Sequence, residues 1–127
     1  MGFFAAIIIE TNDVTIDLNG FEIKQSHSFY LRQRFYAHIE LGSAPFVPRV
    51  GPHDFSNRFR RAEWVTIKNG TMGLSAHHGI HGNECSFIRI ENINFKDFEV
   101  AAISINEGKH IHVEDITLGP TSNKVVV

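Results

Sequence analysis

Gly79-Ile80-His81-Gly82-Asn83-Glu84-Cys85-Ser86-Phe87-Ile88-Arg89-Ile90-Glu91-Asn92 is matched, 23 residues on, by Ala102-Ile103-Ser104-Ile105-Asn106-Glu107-Gly108-Lys109-His110-Ile111-His112-Val113-Glu114-Asp115. Apolar positions fall on apolar positions, Asn-Glu falls on Asn-Glu, and the phase never slips. A fixed period in the twenties with strand-like alternation signals repeated β units stacked in register. Working outward, Val65-Thr66-Ile67-Lys68 precedes Ile88-Arg89-Ile90-Glu91 by the same interval, and Val14-Thr15-Ile16-Asp17 opens in the same way 51 residues before Val65. The first and third residues of each quartet are read as facing a dry interior, with Ile67, Ile90 and Val113 in one column.

Asn69, Asn92 and Asp115 follow the quartets, and these residue types tolerate the left-handed backbone that a tight corner needs. A second short strand is expected to bury Met72, Phe95 and Leu118, and a third to span Gly79–Gly82 and Ala102–Ile105, with Ala37–Leu41 beside them. No window carries helical spacing over the roughly 11 residues a helix assignment needs. The expected fold is therefore all-β: a single-stranded right-handed parallel β-helix, a solenoid of about four coils with about 23 residues each. The chain reads as one domain, 1–127, carrying a basic aromatic insertion at about 24–64. Val125-Val126-Val127 falls in register with Ala102-Ile103-Ser104, so strand edges are exposed at both ends. A fragment of a longer chain, or end-to-end and homo-oligomeric contacts, is the expectation.

Composition narrows the class. Hydrophobic content of 43% and charge of 20% suit a soluble globular chain, and 11 Phe suit flat stacking surfaces. No apolar run approaches the ~20 residues of a membrane-spanning helix. The single cysteine, Cys85, excludes an internal disulfide. Residues 24–64 carry seven Lys or Arg against three acidic residues, a balance of +4 in a chain whose total is −2. That stretch also holds Phe29, Tyr30, Phe35, Tyr36, Phe46, Phe55, Phe59 and Trp64. A basic, aromatic segment on an acidic body points to an anionic or ring-bearing partner. Nucleic acid is not expected, because the basic residues are confined to that one segment.

Val14-Thr15-Ile16-Asp17-Leu18-Asn19-Gly20-Phe21-Glu22-Ile23, followed by Val65-Thr66-Ile67-Lys68-Asn69-Gly70-Thr71, resembles the opening coils of pectate-lyase-like parallel β-helix proteins. The resemblance covers most of the chain outside the insertion. It implies an extracellular or virion-surface setting and ligands lying along the sheet that contains Gly79–Gly82 and Ala102–Ile105. The outward column there reads Glu40, His81, Ser104, with His77 and His78 in the turn leading to it and Arg58, Arg60 and Arg61 as a wall. Glu40 with His81, and His78 nearby, form the candidate catalytic set, since a carboxylate beside an imidazole suits general acid–base chemistry. His77, Ser104, Arg58, Arg60 and Arg61 are the candidate ligand-binding residues.

The family's enzymatic motifs are missing: the candidate sheet carries no cluster of three aspartates for calcium and no Asn-Thr-Asp segment with a following Asp-Asp. On a regular strand His78 and His81 point to opposite faces, which argues against a three-histidine zinc site. No cofactor is expected, and neither calcium nor zinc finds a clear ligand set. The functional expectation is a carbohydrate-binding or carbohydrate-active protein for an acidic polysaccharide, a polysaccharide lyase or glycoside hydrolase if it is an enzyme. The alternative is a structural or adhesive segment of a viral fibre, spike or surface protein. As an outward position, His81 is expected to tolerate Ala with a stability change within ~0.5 kcal/mol.

Overall fold

A computed structural model describes residues 3–43 and 60–119. Its elements are β1 (Phe4–Ile9), β2 (Asn12–Asp17), β3 (Glu22–Ile23), α1 (His27–Arg32), β4 (Tyr36–Leu41), β5 (Glu63–Met72), β6 (His78–Asn83), β7 (Ser86–Phe95), β8 (Ala101–Asn106) and β9 (Lys109–Leu118). They form two parallel sheets, a four-stranded one ordered β1-β4-β6-β8 and a five-stranded one containing β2-β5-β7-β9, with β3 pairing β5.

This arrangement corrects the expected β-helix of about four coils. The described residues form two parallel sheets rather than three strands per coil. The strands expected before and after each corner are one strand: β5, β7 and β9 each run for ten residues through Asn69, Asn92 and Asp115. Those three residues have φ of 63°, 54° and 53°. A single left-handed residue bends the strand without breaking its ladder, since Ile67↔Ile90 and Gly70↔Ile93 pair on either side of the corner. The corner amides bond along the column, with Asn92 Nδ2 donating to Asn69 Oδ1 at 2.9 Å.

The 23-residue interval is visible as register: Ile67 pairs with Ile90 and Ile90 with Val113, and Ile80 pairs with Ile103. The core lies between the sheets, built from Ile39, Leu41 and Ile80 of one and Val65, Ile67, Ile88, Ile90 and Phe95 of the other. Each such side chain contributes roughly 1.5–3 kcal/mol on burial. Ile67 and Ile90 are fully buried, but Val113 is 46% exposed and Leu118 65% exposed, so the dry column ends at β7.

The expectation that no helix fits is also corrected. α1 is six residues long, too short for any periodicity window. Ser26 caps it, its Oγ accepting from the Phe29 backbone N–H at 3.2 Å. Within the 24–64 stretch, the strand expected at Ala37–Leu41 is β4, which pairs with both β1 and β6. Arg58 and Val125–Val127 lie outside the described residues, as do Phe46, Phe55 and Phe59. No helix among the described residues is long and apolar enough to cross a membrane.

Candidate functional site

Ile7 and Ile9 of β1 pack on the core, whereas Ile8 between them is 49% exposed. Ile8 pairs with Glu40, and Glu40 with His81, so both belong to the face of the four-stranded sheet turned away from the core. On it two side chains are nonetheless sheltered: Glu40 is 0% and His81 7% exposed. Both Glu40 carboxylate oxygens lie 2.9 Å from His81 Nδ1. Burial pushes the Glu40 carboxyl up from the usual carboxylate range, and the His81 hydrogen bond pulls against that shift. Ser104 continues the column, pairing with His81 in register and half-buried.

His78 joins this pair, its ring 4.9 Å from that of His81. Strict alternation would have put the two on opposite faces. The phase shifts between them: a β-carbon on Gly79 would stand 2.8 Å from Phe95 Cε1, and Ile80 is itself in the core. Two successive residues therefore face inward, and His78 and His81 emerge on the same side. His77 Nδ1 lies 2.8 Å from His78 Nδ1, so one imidazole donates to the other. Burial lowers both, His78 to about 4, which makes this a neutral pair at neutral pH. Phe35 packs edge-on against His77 at 5.3 Å, and Phe3 lies 6.5 Å from His81, forming an apolar rim.

The arginines are placed differently from the imidazoles. Arg61 is exposed and bonds Glu84 at 2.6 Å, in the turn beyond the end of β6. Arg60 is exposed and is held through its backbone N–H, which donates to Ser43 Oγ at 2.9 Å. Among the described residues, no group of three His, Cys, Asp or Glu is arranged to hold a metal ion.

Three features escaped the sequence reading. His38 is fully buried, its Nε2 3.0 Å from the Gly73 carbonyl and its Nδ1 2.8 Å from the Tyr36 hydroxyl. A carbonyl only accepts, so Nε2 carries the hydrogen and Nδ1 accepts from Tyr36. Burial lowers the His38 pKa to about 4. Tyr30 on α1 donates to Glu99, and Arg34 bonds the same carboxylate at 2.5 Å, fastening the helix to the β7–β8 connection. Finally, Trp64, Phe87 and His110 stack face to face along the five-stranded sheet, with centroids 4.0 Å and 4.6 Å apart. Their 23-residue spacing was the available signal. Compared with known proteins, the chain matches no family model, no curated protein and no solved structure.

Proposed function

We propose that the protein binds an acidic polysaccharide on the core-distant face of the four-stranded sheet and cleaves it by proton transfer at His81. The observation that carries this reading is the Glu40–His81 pair: a fully buried carboxylate, 2.9 Å from Nδ1 of an imidazole whose side chain keeps 9% of its surface open. A shielded carboxylate behind a histidine fixes its tautomer and leaves Nε2 to exchange protons. Glu40 is thus a positioning residue, and His81 the group that meets substrate. His77 and Ser104, half-buried beside it, line its approach; the exposed Arg60 supplies positive charge farther along, whereas Arg61 is paired with Glu84.

Glycoside hydrolysis uses two facing carboxylates about 5–9.5 Å apart. One carboxylate bonded to an imidazole suits elimination better. His81 would take the C5 proton α to a uronate carboxyl, the C4–oxygen bond would break with its oxygen leaving as a hydroxyl on a proton from the imidazolium or water, and a C4–C5 double bond would remain in the product. The test is incubation with uronate-containing and sulfated glycans, followed by the ultraviolet absorbance of the unsaturated ends. Activity should fall about 10²–10⁴-fold in His81→Gln with binding retained. Absence of binding to every anionic glycan would contradict the proposal.

A second reading, a structural or adhesive segment, draws on Val113 and Leu118, apolar side chains of β9 that stand largely exposed. Elongated oligomers in solution without any glycan binding would select it.

A further inference from the structure

Asp13, Trp64, Phe87 and His110 occupy one column on the five-stranded sheet. Asp13 lies between Asn12 and Val14, as Trp64 lies between their partners Glu63 and Val65, and the same holds one and two strands on. All four have left-handed backbones, with φ of 61°, 56°, 55° and 57°. Bulky aromatics rarely adopt that conformation, and here the ring stack compensates for it. The stack is unfinished at one end. Phe87 covers one face of the indole at 4.0 Å with the planes 5° apart, yet Trp64 remains 57% exposed. The exposed surface therefore includes the opposite face. Where a further ring would stack, the next strand offers the exposed Asp13 carboxylate, with Thr15 and Thr66 paired beside it in the same groove.

We propose that the open face of Trp64, with Asp13 beside it, is a stacking subsite for a neutral sugar ring. The polarised C–H face of a pyranose suits the electron-rich face of an indole. Its hydroxyls, standing in the ring plane, suit a carboxylate acceptor and two threonine hydroxyls. The carboxylate disfavours a uronate at this point, and the cation lining the same groove is occupied: Arg89 turns to Glu91 at 3.4 Å. The subsite lies on the other sheet from Glu40 and His81, and it stands whether or not that pair catalyses anything.

Trp64 is the only tryptophan in the chain, so its emission reports this site alone. The full chain is titrated with cellohexaose and mannohexaose, and separately with polygalacturonate and tetramethylammonium. We expect a saturable emission change with at least one neutral hexaose in the millimolar range. Asp13→Ala, with its far-ultraviolet circular dichroism unchanged, should weaken it about tenfold, as loss of a charge-assisted hydrogen bond does. His81→Gln should leave it as it is, which separates this test from that of the catalytic pair. No emission change with either hexaose overturns the proposal. So does equal binding by Asp13→Ala, or saturation by tetramethylammonium or polygalacturonate but by neither neutral sugar.

Discussion

A carboxylate with no exposed surface keeps its charge only if something nearby repays its lost hydration, and for Glu40 that partner is His81. Removing the imidazole strands the charge. His81→Ala should therefore cost about 2–4 kcal/mol in urea unfolding near neutral pH, well beyond the ~0.5 kcal/mol expected of an outward position. The cost should shrink on acidification, because Glu40 can then be buried as the neutral acid. A change below ~0.5 kcal/mol at neutral pH would restore the reading of a solvated face. His38 and His78 set a second pH dependence. Both have folded pKa values lowered to about 4, so the unfolded chain takes up their protons first as pH falls. Their contribution is complete above the unfolded value near 6.5 and drains away down to about 4. Stability measured between those limits should fall by about 2–3 kcal/mol per histidine. His38→Gln should flatten part of that slope, and an unchanged slope would mean His38 is not held neutral.

At the scale of the element, what decides the strands is where their phase breaks. Gly79 permits the shift that brings His78 round to His81, and a β-carbon there would stand 2.6 Å from the Ala102 carbonyl oxygen. Backbone cannot yield as a flexible side chain can, so Gly79→Ala should destabilise by about 1–3 kcal/mol and loosen the histidine cluster. The corner at Asn92 makes a converse prediction. Its left-handed φ of 54° penalises Ala by about 1–2 kcal/mol, whereas Gly should cost only tenths. Equal losses in the two variants would show that the side-chain bond to Asn69, rather than backbone geometry, holds the corner. The Asn corners were legible from sequence, because Asn and Asp recur at one spacing in a position that needs positive φ. The phase break was not, because glycine inside an alternating run signals close approach without saying which way the neighbours turn. α1 was hidden for another reason, since six residues held by a Ser26 cap carry no periodicity.

For the molecule as a whole, the repeat made the pairing of β5, β7 and β9 readable, because a side-chain period of two forbids a one-residue slip in a half-buried strand. It did not make the layer arrangement readable. Whether a corner ends a strand or only bends it depends on the hydrogen bonds across it, and those continue on both sides of Asn92. Nor did alternation show that Glu40 is covered, since the residues that shelter an outward side chain come from distant parts of the chain. Phe3 and Phe35, which rim the histidines, carry no repeat signal at all. The whole arrangement rests on β4 and β6 meeting so that Glu40 faces His81, although the two are 41 residues apart. A double-mutant cycle on Glu40→Gln and His81→Gln, read by urea unfolding near neutral pH, measures that meeting directly. A coupling of about 1.5 kcal/mol or more is predicted, and losses that add to within about 0.5 kcal/mol would contradict the account.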